Sequence, residues 1–310
     1  MYLFSYLQHI KSVFSSSGAV RKIMENTFFQ FNENFFVSND MKKTFDENGF
    51  VIVRNILSNR EVAKVLHFFE NSKEIKENAF GQDDGLEKRT KVCLWKYAGD
   101  DIGDMVWRSE KVVNTFEELL GGELYLYHAK LMMKEAKTGG RHVWHQDYGY
   151  WYENGCLFPD MGSVFIALDP SIKENGCLQV LAGSHKMGRV NTVLIGKDTP
   201  QRGADPERVD QARKVCQHVY VELSPGDAVF FHSNLLHTSS QNLSNMRRWS
   251  MICAYNMRRN NPVYEHHYPQ YNPLRKVKNS EIMECEETVS SIEKEYFNPR
   301  DDCSIKEKQN

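Results

Sequence analysis

The 310-residue sequence predicts a mostly β protein with packed helices, arranged as a β-sandwich or jelly roll. Three observations carry this expectation. Helical spacing of apolar residues is confined mainly to the chain before Leu120. Beyond it the pattern breaks into short period-two runs. Turn signals separate those runs at close intervals.

Taken in order, Phe50, Val51, Ile52 and Val53 follow the turn signal Asn48-Gly49 and predict a strand. Ser58-Asn59-Arg60-Glu61 has the form of a capping box, in which the serine hydroxyl and the glutamate carboxylate each satisfy an orphan amide. It opens a helix through Val62, Val65, Leu66 and Phe69. Residues 71–103, charged and punctuated by glycine, predict a long loop or lid. A second helix is expected from Glu110 to Leu120, with Val112, Val113 and Phe116 on its buried face and Gly121-Gly122 ending it.

Strands are then expected at 124–133, 143–147, 163–168, 177–181, 219–223, 228–232 and 248–255. Between them stand Asn154-Gly155, Asn175-Gly176, Ala182-Gly183-Ser184 and Ser224-Pro225-Gly226-Asp227. An insertion at 196–214 includes a helix with Asp205 as N-cap and Pro206 at its first position. A charged helical pattern follows Asn279. The expected division is an N-terminal extension over 1–44, a central domain over 45–260, and a C-terminal extension with a charged tail over 261–310.

Lys and Arg total 39 against 41 Asp and Glu, a formal charge of −2. A near-neutral chain has no general attraction for nucleic acid or an anionic membrane, so neither is expected as a partner. The seven cysteines are scattered and never spaced CxxC, which argues against a disulfide framework or a zinc knuckle. No apolar run approaches the ~20 residues of a membrane-spanning helix. A soluble, cytoplasmic protein, favoured as a monomer, is expected. Residues 1–24 contain no acid, carry Lys11, Arg21 and Lys22, and partly resemble a mitochondrial transit peptide.

His145-Gln146-Asp147 is weak as a triplet, because 11 histidines among 310 residues make a chance His-x-Asp close to an even bet. Its setting is more informative. On a strand, residues two apart share a face, so His145 and Asp147 can grip one metal ion. His237, after the run Asp227 to His232, is the best third ligand, with His232 its competitor. Two imidazoles and a carboxylate on one face of an ion form the facial triad of non-haem Fe(II) oxygenases. Arg248, eleven residues further, offers the planar fork that a dicarboxylate co-substrate needs, and Ser239 can add a hydroxyl. Strand alternation turns Arg247 the other way.

His145-Gln146-Asp147, Glu174-Asn175-Gly176-Cys177-Leu178 with Gly183-Ser184-His185, Pro225-Gly226-Asp227, and His237-x-Ser239 with Arg248 together resemble the phytanoyl-CoA dioxygenase family. The resemblance spans roughly residues 45–256. It implies a double-stranded β-helix of the cupin type, with His145, Asp147 and His237 as iron ligands. It also implies that Arg248 and Ser239 bind 2-oxoglutarate, with Phe165 as an aromatic wall and with His128 and Lys130 as further contacts. The cofactors implied are Fe(II), 2-oxoglutarate and O2, with ascorbate in support. The activity implied is hydroxylation, or desaturation or ring closure, of a small molecule with release of succinate and CO2. Asp147 speaks against halogenation, which needs an uncharged residue at that position. The rival classes are a cupin-like metal enzyme of another kind, against which Arg248 and Ser239 argue, and a non-catalytic barrel with an interaction role.

Overall fold

The computed structural model describes residues 27–196 and 201–298. The first 24 residues, with their transit-peptide resemblance, lie outside the described residues.

The strands are β1 (Phe28–Gln30), β2 (Phe50–Arg54), β3 (Phe80–Asp83), β4 (Arg89–Lys96), β5 (Leu124–Lys134), β6 (His142–His145), β7 (Met161–Ala167) and β8 (Leu178–Ala182). They continue as β9 (Thr192–Ile195), β10 (Gln201–Ala204), β11 (Gln217–Val221), β12 (Ala228–His232), β13 (His237–Ser239), β14 (Arg248–Met257) and β15 (Glu295–Tyr296). A nine-stranded sheet runs β1-β2-β12-β7-β14-β5-β4-β15, with β3 beside β4. A four-stranded sheet, β11-β8-β13-β6, faces it, and β9 and β10 form a separate hairpin. All pairings are antiparallel except β1 with β2. The jelly-roll expectation holds.

The long strand β14 is buried on both faces because each face has its own apolar layer. Met251, Cys253 and Tyr255 pack toward the helices, where Phe116 meets the Tyr255 and Phe230 rings edge-on at 5.9 and 5.4 Å. Ile252 instead joins Met132, Phe165, Leu178, Val180 and Phe231 between the two sheets. The site lies in this second layer.

The local capping readings match their elements. The helix Asn59–Asn71 has the Ser58–Glu61 capping box, Glu110–Leu120 ends at left-handed Gly121, and Pro206–Arg213 is capped by Asp205.

Residues 71–103 are not a loop. They contain helix Lys73–Asn78, strands β3 and β4, and the start of helix Ile102–Arg108. β4 is covered on both faces from Val92 onward, so no alternation marks it. Its Lys96 is buried because Glu295 pairs with it across β15.

The charged pattern after Asn279 yields only the short helix Glu281–Glu284. The following chain returns to the sheet, where Lys294 lies buried between Asp101 and Asp104 and Trp95 Nε1 donates to Asp104 at 3.2 Å. Residues 28–30 and 295–296 therefore each add a strand to the large sheet, β1 at one end and β15 at the other.

Pro225-Gly226-Asp227 holds the turn into β12. Gly226 has φ +89°, and a Cβ there would lie 2.2 Å from the Leu57 carbonyl oxygen. The buried Asp227 carboxylate accepts from the Ser224 and Asn55 amides at 2.8 and 3.0 Å and pairs with Arg54. Asp227→Ala should lower stability by about 2 kcal/mol, discounted for the part-exposed Arg54, because two buried amides lose their acceptor. Urea unfolding followed by tryptophan fluorescence measures this; an unchanged midpoint would show that water replaces the carboxylate.

Candidate metal and co-substrate site

His145 and His237 are direct cross-strand partners on β6 and β13. Their rings stand 4.0 Å apart, and each Nε2 lies close to Asp147 Oδ1, at 3.7 Å from His145 and 3.8 Å from His237. One ligand atom from each of the three residues falls within 4.8 Å of the others, and all three residues are buried. Among the described residues no other cluster of three His, Cys, Asp or Glu reaches this geometry.

The hydrogen bonds around the three residues leave the right atoms free. Nδ1 of His145 lies 2.8 Å from the Val143 carbonyl, and Nδ1 of His237 lies 2.9 Å from that of Leu235. A carbonyl can only accept, so each Nδ1 carries the proton and each Nε2 turns a lone pair toward the shared point. Burial pushes His145 down to about 3 and lowers His237, so both imidazoles are neutral donors. Ser163 Oγ donates to Asp147 Oδ2 at 2.7 Å, leaving Oδ1 to face the imidazoles. Burial opposes ionisation of Asp147, but His237, Lys130, His145 and that hydroxyl hold its carboxyl below the ordinary value. Two neutral nitrogens and one carboxylate oxygen converging from one side suit an open-sided divalent ion.

Asp147 does not belong to the strand. β6 ends at His145, and Asp147 opens the short helix Asp147–Trp151, so period-two geometry is not what places it beside His145. The turn is held by Gln146, whose amide donates to the carbonyls of Asn234 at 2.6 Å and Gly188 at 2.9 Å. The same side chain accepts from Val190 N at 2.7 Å. This residue therefore ties together the two segments that flank the histidines.

His232 stands elsewhere. Its Nδ1 accepts from Asn234 N, its ring lies 5.4 Å from His185, and it is not among the converging residues. His185 bonds the Asp46 carbonyl and fixes the turn after β8.

At the other end of the inter-sheet layer, Arg248 of β14 and Lys134 of β5 are cross-strand partners, 1% and 0% exposed. Lys134 Nζ donates to Ser239 Oγ at 3.0 Å and to the Ser240 carbonyl at 2.6 Å. Arg248 makes no hydrogen bond or ion pair among the described residues; its Nε and the Ser250 hydroxyl on the same face both lack a partner. Burial lowers Arg248 to about 10, so it is still charged at neutral pH. The Phe165 ring centroid lies 5.6 Å from its guanidinium carbon. Burial, with the Arg248 charge beside it, holds Lys134 well below the ordinary lysine value. The Arg248 guanidinium, buried with no ion pair among the described residues and beside unsatisfied donors, fits an anionic ligand.

Lys130 and His128 share the inward side of β5 nearer the histidines, where a bulge at Tyr127 also turns that ring inward. His128 packs against Trp151 and Tyr268 at 6.0 and 5.2 Å. Arg247 points away, to Glu70 and Asp169. Lys134, Gln146 and Ser163 escaped the sequence reading. The even spacing of Lys130 and Lys134 was the one available signal, since it puts both on one face of a strand.

The phytanoyl-CoA dioxygenase family model matches residues 45–250. The chain is 28% identical over 239 residues to L-proline trans-4-hydroxylase of Streptomyces griseoviridis, covering 73% of this chain and 88% of that protein. It is 25% identical over 270 residues to the peroxisomal phytanoyl-CoA dioxygenase of Bos taurus, covering 78% and 75%. The fold resembles that of EctD from S. alaskensis, crystallised with 2-oxoglutarate and 5-hydroxyectoine. The TM-score is 0.66 at 19% identity, over 80% of this chain and 90% of that one.

Proposed function

The chain belongs to the phytanoyl-CoA dioxygenase family, and from that premise we propose that it oxidises a small molecule with Fe(II) held by His145, Asp147 and His237. Relatives in this family are 2-oxoglutarate-dependent oxygenases, and the protein is a non-haem iron dioxygenase. The observation that carries the site assignment is the pairing of two features in one inter-sheet layer. One is a converging His, Asp and His; the other is the buried guanidinium of Arg248, which lies across from Lys134 and has no ion pair among the described residues.

When bound, Fe(II) supplies O2 activation coupled to oxidative decarboxylation of 2-oxoglutarate to succinate and CO2. The residues supply the rest. Arg248 grips the distal carboxylate bidentately, the unsatisfied Ser250 hydroxyl adds a bond, and Phe165 walls the chain of the co-substrate. Ser239 acts beside them, its hydroxyl oriented by Lys134. Ascorbate serves to keep the metal reduced. Residues 45–260 form the catalytic unit, with the flanking segments completing its sheet. Among the described residues no helix is long and apolar enough to cross a membrane.

Anaerobic addition of Fe(II) and 2-oxoglutarate should produce a metal-to-ligand charge-transfer band, and air should then release succinate. A protein that gives neither refutes the reading. Because the Asp147 carboxylate already fills the third protein position with negative charge, chloride has no place as a ligand. Exchanging acetate for chloride at constant ionic strength should leave the band unmoved, and a chloride-dependent shift would show otherwise.

A further inference from the structure

One basic side chain of the inter-sheet layer, Lys130, has no part in the reading above. On that reading Arg248 takes the distal carboxylate of the co-substrate. Lys130 faces the same layer, but its cross-strand partner is Ile252, four residues beyond Arg248 on β14 and so about 13 Å along the strand. It sits on the metal side. Burial lowers its pKa against the opposing pull of Asp147, and its charge in turn bears on His128, His142, His145, His237 and Asp147. Yet it makes no hydrogen bond or ion pair with any described residue, and its remaining neighbours across the strands are Leu94 and Ile252.

An ammonium kept in such a place without a counter-ion is costly unless a ligand supplies one. Among the described residues Asp147 is the only acid whose charge reaches it, and that carboxylate is committed to the metal group and to Ser163. Beyond Lys130 the wall changes character. Tyr127, His128, Trp151 and Tyr268 form an aromatic surface, with the Tyr268 ring 4.8 Å from that of Tyr127 and tilted 35° to it. A ligand lying there would meet one cation next to the metal and aromatic faces behind it.

We propose that Lys130 binds a carboxylate of the primary substrate, so that the enzyme oxidises carboxylic acids whose body packs on the aromatic wall of Tyr127, His128 and Trp151. This rests on the Fe(II) and 2-oxoglutarate reading above, and it takes Lys130 away from the co-substrate, to which the family resemblance had attached it.

The test uses the full chain loaded anaerobically with Fe(II) and 2-oxoglutarate. The probes are the proteinogenic L-amino acids and simple 2-hydroxy acids, each paired with its primary amide. Binding is read by calorimetry and by perturbation of the charge-transfer band. At least one acid should bind, its amide about tenfold or more weaker. Lys130→Met should weaken that acid by a similar factor, Lys130→Arg should restore part of the loss, and 2-oxoglutarate affinity should stay within about twofold. Amides that bind as well as their acids, or the absence of any binding acid, overturn the proposal. So does a Lys130→Met protein that loses 2-oxoglutarate rather than acid affinity. Failure of the parent reading looks different, because the wild-type protein would then show no charge-transfer band at all.

Discussion

His237→Ala should bind Fe(II) at least about a hundredfold more weakly than the wild type and release no iron-dependent succinate, while His232→Ala keeps both. Outer-shell partners of a metal ligand already cost roughly 10–100-fold when removed, and losing a ligand itself costs more. The two histidines lie within the same stretch of chain, but only His237 turns a free Nε2 toward Asp147, its Nδ1 being fixed by the Leu235 carbonyl. His232 instead uses Nδ1 to accept from Asn234 N and sits beside His185 and Phe45. Truncating His237 opens a buried cavity, so a circular dichroism melt of the metal-free protein must accompany the titration. His237→Gln, which keeps most of the volume, should fold and still lack tight iron binding. If the His232 variant were iron-free and the His237 variant active, the third ligand would be misassigned.

What the sequence reveals here divides by the distance over which the causes act. The capping box at Ser58 and Glu61 and the helix from Glu110 to Leu120 are settled by neighbours within a turn or two, and both were legible. β4 was not. Its buried Lys96 reads as a surface charge until Glu295, far along the chain, is brought against it. The same contrast holds in the site. His145, Asp147, His237 and Arg248 stand in motifs with a local reading, though Asp147 reaches its place through a helical turn rather than strand alternation. Lys134 carries no motif. Its role emerges only when β5 pairs with β14 and puts it against Arg248 and Ser239.

Arg248→Met should lose 2-oxoglutarate affinity by about ten- to a hundredfold, because a charge-assisted contact is worth about 1.5–3 kcal/mol and about 1.4 kcal/mol is tenfold. Arg248→Lys should recover part of this, since a single ammonium cannot fork onto both oxygens. Iron affinity should hold, as Arg248 is not a ligand. The same substitution has an opposite effect on the empty protein. There the guanidinium is a buried charge with no hydrogen bond among the described residues, so a methionine of similar length should leave the melting temperature equal or higher. Added 2-oxoglutarate with a divalent metal should then raise the melting temperature of the wild type but scarcely that of the variant. Arg247→Ala should behave in the reverse sense. Its guanidinium holds Glu70 at 2.6 Å and Asp169 at 3.1 Å on the far side of the sheet, so its loss should lower stability and leave co-substrate binding intact. The pH dependence follows from the same charge. Arg248 is protonated below about 10, so its contribution to binding is fully present at neutral pH and falls only as pH rises toward that value. Titrating 2-oxoglutarate into the anaerobic Fe(II) protein and following the charge-transfer band gives each affinity. A larger loss in the Arg247 variant would mean that the inward face of β14 is the other one.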